Sequence, residues 1–241
     1  MLLWQSSRSY YRARMGDLGS LGEVTPDAAR RGSAASGLPP ADELAQRHFV
    51  LQASRPAHLG EVNLAELEPF LRGLLFTDGT VTRALEVQTL SPVSVEVSDQ
   101  INTEVSEPVA EHLGVPGGTE SVRRRVLIGT GEPTKPAIWA ESHILPSRLP
   151  SGFLGVLQGA PDGIGESLQQ VELESWREML WFGFDSHPTW SGVDSHLSSP
   201  VITRLYRVIT MGLPALLISE SFSVTLRDGA YRLSCVSWSS G

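Results

Sequence analysis

The chain has 241 residues and a formal net charge of −8, and 41% of its residues are hydrophobic. This length fits one globular domain with appended segments, and the acidic balance argues against a general binder of nucleic acid or of acidic membranes. A single cysteine excludes an intrachain disulfide and every metal motif that needs several cysteines. No apolar run approaches the about 20 residues that span a bilayer, so we expect no membrane insertion and a cytoplasmic location.

The N-terminal segment, residues 1–45, is rich in Gly, Ser, Ala, Pro and Arg and has no sustained apolar periodicity. This composition predicts a disordered or loosely ordered extension, followed by one domain at residues 46–241. The opening MLLWQSSRSYYRARM lacks an apolar core of secretory length, which argues against a signal peptide. An over-extended start, with Met15 as the first residue, is favoured over a transit peptide that begins at Met1.

Two helices are predicted after this extension. The first begins at the N-cap Asn63 and ends at the turn Asp78-Gly79. The second begins near Thr80, with Val81 and Leu85 directed inward. The apolar residues of the first helix recur at helical spacing, at Leu64, Leu67, Phe70, Leu71, Leu74 and Leu75.

The rest of the chain is dominated by predicted hairpins. Alternation predicts a strand in PVSVEVSDQ, a hairpin from SVRRRVLIGT and PAIWAESHIL, and a closing hairpin from PVITRLYRVI and PALLISESFSV. Between them we expect a short helix or turn in VSEPVAEHL and a helix near ESLQQVELESWREMLWF. The helical spacing of Trp176, Met179, Leu180 and Phe182 indicates core residues rather than cofactor contacts. Together these elements predict an α+β domain on a single antiparallel sheet.

The closing strand carries a carboxylate on a face that is otherwise apolar. With two-residue alternation, Glu220 shares its face with Leu216, Ile218, Phe222, Val224 and Leu226. Burying a carboxylate without a partner costs several kcal/mol. Glu220 is therefore expected to have an ionic partner or a ligand.

An arginine in the earlier hairpin has the complementary position. Arg124 is the charged member of an otherwise apolar face with Val122, Val126 and Ile128. One interpretation is an internal Arg124–Glu220 salt bridge. The other is a site in which Arg124 binds a ligand carboxylate in a bidentate manner while Glu220 accepts a hydroxyl hydrogen bond or handles a proton. The strand register leaves open whether Arg123 or Arg125 takes the inward position instead.

Two glycine turns precede predicted helices. Gly163-Ile164-Gly165 precedes the helix near ESLQQ, and Asp78-Gly79-Thr80-Val81 leads into the helix near Thr80. Glycine lets the backbone approach a ligand closely, and free N–H groups at a helix start favour an anion. Each turn taken alone is also consistent with an ordinary loop.

Other chemistries lack the required spacing. His187 and His196 lie in a polar segment with no recognised metal-binding pattern. The segment GTGEPTK lacks the P-loop pattern, and no G-x-S-x-G element is present. The residues thus favour a site for a small carboxylic acid that carries a hydroxyl group, without nucleic acid as a partner.

An ordered set of segments resembles the chorismate pyruvate-lyase family, the enzymes that form 4-hydroxybenzoate. The matching segments are LLFTDGTVTRALE, PVSVEV, RRRVLIGTGEP, DGIGESL and RLYRVITMGLPALLISESF, across residues 64–226. The resemblance is closer to a divergent branch of lyase-like proteins than to the members of the bacterial ubiquinone pathway. It implies an antiparallel sheet of about six strands with helices on its outer side and a ligand sealed between the sheet and flaps.

The resemblance also implies roles for individual residues. The arginine that grips the ligand carboxylate corresponds to Arg124, and the catalytic or hydroxyl-binding glutamate corresponds to Glu220. Backbone N–H donors correspond to Val81 and Ile164. The implied reaction removes pyruvate from chorismate to give 4-hydroxybenzoate, and it requires no metal, nucleotide or other cofactor.

Two departures from the family pattern concern the lid and hence the substrate. The segment before the closing hairpin, DSHPTWSGVDSHLSSP, is longer here, and the glycine-flanked residue is Ile164 in DGIG rather than part of a Pro-Leu-Gly sequence. Two alternatives therefore stay open. One is a small-molecule binding module of the kind found in the UTRA effector domains of GntR-type regulators, which share the fold. The other is a domain in which the Arg124 and Glu220 charges are only structural.

Overall fold

Seven strands and six α-helices make up the part of the chain that the computed structural model describes, residues 41–130, 135–159, 163–186 and 200–234. The chain divides into the units Met1–Pro40 and Ala41–Gly241, and these described residues belong to the second. The strands are β1 Val93–Glu104, β2 Glu120–Thr130, β3 Lys135–Ile144, β4 Ser175–Asp185, β5 Val201–Thr210, β6 Leu213–Arg227 and β7 Ala230–Leu233. The helices are α1 Ala41–His48, α2 Pro69–Phe76, α3 Val81–Thr89, α4 Glu107–Leu113, α5 Phe153–Gly159 and α6 Ile164–Gln170.

The strands form one antiparallel sheet in the order β1-β2-β3-β6-β5-β4, and β7 pairs with β6. The predicted α+β class and single antiparallel sheet are confirmed. The sheet has one strand more than expected, because the turn at Asp228 and Gly229 reverses the chain after β6. Both residues have positive φ, 50° and 78°, and Asp-Gly is a preferred sequence for such a two-residue hairpin turn.

One face of the sheet packs against helices and forms the larger core. Leucines of α2 and α3, such as Leu71 and Leu85, belong to one hydrophobic cluster with strand residues such as Ile138, Ile202 and Phe222, and all five are fully buried. Burial of one such side chain contributes about 1.5–3 kcal/mol. The opposite face carries a smaller cluster against α4. Among the helices described, none is long and apolar enough to span a membrane.

The single helix expected after Asn63 is divided in two. Asn63 caps a short 3-10 turn, Leu64–Glu66, by accepting a hydrogen bond from the Ala65 amide at 3.1 Å. The chain then becomes extended at Glu68, and α2 begins at Pro69. Proline disfavours helical geometry in the residue before it and lacks the N–H that an uninterrupted helix needs. The following helix, α3, begins at Val81, next to the predicted start near Thr80, and Val81 and Leu85 are buried as expected.

The helix expected near ESLQQVELESWREMLWF is correct only for the first five residues of this segment. α6 ends at Gln170, and the residues from Ser175 form β4. A register shift between Met179 and Trp181 interrupts the two-residue alternation, and such a bulge makes the apolar spacing of a strand resemble that of a helix. The expected core residues Met179, Leu180 and Phe182 are buried, whereas Trp176 is 44% exposed.

The expected extension at residues 1–45 lies mostly outside the described residues. Helix α1 spans the expected boundary, and its residue Ala45 is buried in the larger core. The division of the chain at residue 45 stays a prediction.

The face of the sheet opposite the larger core carries a carboxylate, Glu141, that should make the free energy of unfolding depend on pH. The His143 Nε2 lies 3.4 Å from Glu141 Oε1, and the Arg125 Nε lies 2.5 Å from Oε2. Hydrogen bonds from His143 and Arg125 lower the pKa of Glu141 to about 2. Because the folded pKa is below the unfolded one, the stabilisation is complete above about pH 5 and is lost as the pH falls toward 2.

We expect Glu141→Gln to lower the free energy of unfolding at pH 7 by about 1–2 kcal/mol, since partial exposure screens the pair. The variant should also lose part of the decline in stability between pH 5 and pH 2. Urea unfolding at several pH values measures both effects. Glu96→Gln, at an exposed position of β1, serves as the control, and equal pH slopes for Glu141→Gln and the wild type would contradict the prediction.

Candidate functional site

The helix-covered face of the sheet contains a small cavity between β2 and β6. The pairing places Arg124 of β2 beside Ser142 of β3, and Ala140 of β3 beside Glu220 of β6. Neighbouring strands lie about 4.8 Å apart, so about 10 Å separates β2 from β6. Ala140 and Ser142 have small side chains, and both line the cavity between the two charged side chains.

Arg124 is the arginine of its strand that points into this space. It is 4% exposed, and its Nη1 donates to Gln100 Oε1 at 2.6 Å. Arg123 bonds to Asp99, and Arg125 bonds to Glu141, on the opposite face of the sheet. Of the three arginines that the sequence left as candidates for the inward position, Arg124 is therefore the one that takes it. Burial lowers the pKa of the Arg124 guanidinium, so a bound anion would stabilise its charged form.

Glu220 is paired with Arg204 of β5 rather than with Arg124. Arg204 Nε donates to Glu220 Oε2 at 2.8 Å, and its Nη2 lies 2.6 Å from the same oxygen. The Tyr206 hydroxyl donates to Oε1 at 2.8 Å. The Arg124–Glu220 salt bridge, one of the two interpretations of the sequence, is therefore wrong. The reason is that β3 lies between β2 and β6, whereas β5 pairs directly with β6.

Arg204 and Tyr206 were not identified from the sequence, although the signal was present. Both lie on the same face of β5 as Ile202 and Val208, so the rule that found Glu220 and Arg124 applies to Arg204 as well. Arg204 is fully buried. Burial and the nearby Glu220 carboxylate raise the pKa of Tyr206, so its hydroxyl stays protonated and remains a hydrogen-bond donor to Glu220.

The starts of α3 and α6 cover the cavity. Val81 and Ile164 line the same cavity as Arg124 and Glu220, so the structure brings together all four site residues expected from the sequence. Thr80, the residue before α3, makes no side-chain capping bond, and Gly163, the residue before α6, has no side chain that could make one. Gly163 has φ +90° and ψ −177°, a conformation that is essentially restricted to glycine.

The cavity is small. Its volume is about 60 Å³, far below the about 300–1,000 Å³ of ordinary ligand pockets. A ring-sized ligand therefore requires the segments that cover the sheet to move outward. The longer segment noted before the closing hairpin lies mainly at residues 187–199, outside the described residues.

The cavity wall also contains Arg177 of β4, which sequence reasoning missed. Its Nη1 donates to the Asp78 carbonyl at 2.5 Å, and this bond ties β4 to the turn before α3. Sequence alternation offered no signal for Arg177, because the segment around it had been expected to be helical. Within the described ranges, no three His, Cys, Asp or Glu side chains are grouped so that they could hold a metal ion.

The family model and the curated relatives that match this chain carry the same name. The family model described as "Chorismate pyruvate-lyase Rv2949c-like" matches residues 75–229. A chorismate pyruvate-lyase of Mycobacterium tuberculosis is 28% identical over 170 residues, which is 68% of this chain and 84% of that protein. The Mycobacterium leprae protein of the same name is 26% identical over 168 residues, 68% of this chain and 79% of that one.

Among solved structures, PhnF from Mycobacterium smegmatis has a similar fold. The TM-score is 0.50 at 10% sequence identity, and the match covers 68% of this chain and 70% of PhnF. At this identity the likeness concerns the fold alone.

Proposed function

The chain belongs to the Rv2949c-like chorismate pyruvate-lyase family, and from that membership and the cavity we propose that it removes pyruvate from chorismate and releases 4-hydroxybenzoate. The resemblance noted in the sequence is confirmed by the family match and by the mycobacterial relatives. The observation that carries the proposal is that Arg124 lies on one side of the small cavity, while Glu220, bonded to Tyr206 and Arg204, lies on the other.

Arg124 is assigned to the ring carboxylate. Its fork of N–H donors matches a carboxylate in geometry and charge, and its hydrogen bond to Gln100 holds it in place. The amides of Val81 and Ile164 are assigned as further donors to the same carboxylate, since both residues border the cavity. Glu220 is assigned to the other end of the ring, where the C4 hydroxyl of chorismate would lie.

The reaction requires little more of the protein than that it holds the substrate in one orientation and excludes water from the site. The C3–O ether bond breaks, the C4 hydrogen is lost, and the methylene carbon of the enolpyruvyl group gains a hydrogen to become the methyl of pyruvate. The ring becomes aromatic, which supplies the driving force. Glu220 accepts the hydroxyl hydrogen bond and stabilises positive charge that develops at the C4 end, while Arg204 and Tyr206 hold the carboxylate in one orientation.

Incubation of the purified protein with chorismate tests the proposal. Pyruvate, measured with lactate dehydrogenase, and 4-hydroxybenzoate, measured by chromatography, should appear in equal amounts and faster than in a protein-free control. Absence of both products above that control would refute the activity.

A second candidate function is binding of a small aromatic acid without turnover. It is supported by the fold shared with PhnF, a protein with a described effector domain. Calorimetric binding of 4-hydroxybenzoate by a protein that releases no pyruvate from chorismate would favour this function over the lyase.

The assigned role of Arg124 leads to a prediction for binding. Arg124→Gln should weaken 4-hydroxybenzoate binding about 10- to 100-fold, because a charge-assisted hydrogen-bond pair contributes about 1.5–3 kcal/mol. Isothermal titration calorimetry gives the change in Kd. Arg123→Gln, on the opposite face of the same strand beside Asp99, is the matched control. Equal losses in the two variants would contradict the assignment.

A further inference from the structure

Arg177 is a half-buried cation at the cavity. It lies on the cavity wall, and its Nε is buried without a hydrogen-bond partner. Its guanidinium donates to the Asp78 carbonyl and lies over the face of the Tyr206 ring, whose centroid is 6.0 Å away. Among the described residues, no carboxylate lies within ion-pair distance of Arg177.

The charges of the cavity wall do not cancel. The wall carries Arg124, Arg177 and Glu220, and the charge of Glu220 is already balanced by Arg204 at 2.6 Å. Within the described part of the chain, Arg124 also lacks a carboxylate partner. A buried cation and a half-buried cation without a carboxylate partner are costly, and a ligand with two negative charges would compensate both.

The two arginines reach the cavity from opposite sides. Arg124 is on β2 and Arg177 on β4, which are four strand positions apart in the order β2-β3-β6-β5-β4, or about 19 Å between backbones. Arg177 contacts Tyr206, whose hydroxyl bonds to Glu220. Arg177 is therefore at the Glu220 end of the cavity, away from the place assigned to the ring carboxylate.

There is also space beside Arg177 for more than a ring. A groove of about 810 Å³ is lined by residues of α3 and α6, and Arg177 borders both this groove and the inner cavity. A substituent at the Glu220 end of a bound ring would extend toward this residue.

We infer that Arg177 binds the second carboxylate of a dicarboxylate substrate, which for chorismate is the carboxylate of the enolpyruvyl group. This role rests on the proposed lyase function and adds a basis for substrate selection to it. The substrate, with two carboxylates, engages Arg124 and Arg177 together. The product 4-hydroxybenzoate, with one carboxylate, engages Arg124 alone, so Arg177 discriminates substrate from aromatic product.

The test compares the two ligands in Arg177→Gln. The KM for chorismate should rise about 10- to 100-fold, while the Kd for 4-hydroxybenzoate stays within about twofold of the wild type. Arg124→Gln should weaken both ligands, and Arg123→Gln should change neither. Arg177→Lys, which keeps the charge without the fork of donors, should recover part of the loss for chorismate.

Several results would overturn the inference. These are an unchanged KM in Arg177→Gln, an equal loss of affinity for the two ligands, or a wild-type protein that binds neither. Should Arg177→Gln fail to fold, the lysine variant decides the matter, since its affinity for chorismate must still fall relative to its affinity for 4-hydroxybenzoate. If the wild type releases no pyruvate, the lyase proposal fails, whereas the Kd values for chorismate and 4-hydroxybenzoate still test Arg177.

Discussion

Glu220→Gln should reduce pyruvate release from chorismate at least about 100-fold, the lower range for loss of a positioned acid–base group. Glutamine can still bond to Arg204 and Tyr206, the partners of the carboxylate at 2.8 Å each. It cannot accept a proton or offset positive charge at the hydroxyl end of the ring. The loss should therefore appear in kcat, measured by coupled pyruvate release under saturating chorismate.

The chain offers a matched control for this variant. Glu178 of β4 is also bonded to an arginine of β5, Arg207, at 2.5 Å, but it is not among the residues of the cavity wall. Glu178→Gln should keep kcat within about threefold of the wild type. Comparable losses in Glu178→Gln and Glu220→Gln would show that disruption of the sheet, and not chemistry at Glu220, is responsible.

Arg204→Met should lower the free energy of unfolding by about 3–5 kcal/mol, the range for breaking a buried ion pair from one side. Arg204 is fully buried. Its Nε and Nη2 contact Glu220. Its Nη1 donates to the carbonyls of Leu74, Leu75 and Thr77 at 2.6, 3.1 and 2.9 Å. The variant leaves a carboxylate and the carbonyls at the end of α2 without this donor. Urea unfolding followed by circular dichroism measures the loss.

The double variant Arg204→Met with Glu220→Leu separates the two causes. Removing both charges eliminates the unpaired carboxylate, so most of the lost stability should return. The part that does not return reports on the carbonyls of α2. A single Arg204→Met variant within about 1 kcal/mol of the wild type would contradict a structural role for the arginine.

The charged residues of the site were predictable to the extent that their strands alternate regularly. Glu220 and Arg124 each interrupt an apolar face, and the structure places both on the inward face. Arg204 satisfies the same criterion in PVITRLYRVI and could have been found by applying it to every strand. Arg177 could not, because the bulge after Met179 removes the alternation from its strand.

The glycine turns show a different limit of local information. Each turn is a common loop feature, and nothing in either segment indicates that the two lie close together. In the folded chain Gly165 packs so closely on Thr80 that an added Cβ would lie 3.2 Å from the Thr80 Oγ1. This contact joins the two segments that cover the cavity, and it depends on how α3 and α6 pack on the sheet.

The order of residues alone determined the strands of the two hairpins, the inward face of Glu220, and a helix start near Thr80. These properties follow from the two-residue period of a strand and from local turn chemistry, which act over a few neighbouring residues. Only the tertiary structure decided that Arg124 is the inward arginine of β2, that Glu220 pairs with Arg204, and that Arg177 reaches the same cavity. The physical reason is that contacts across a sheet depend on the order of its strands, and the order β2-β3-β6-β5-β4 places β3 between the two residues that the sequence had paired.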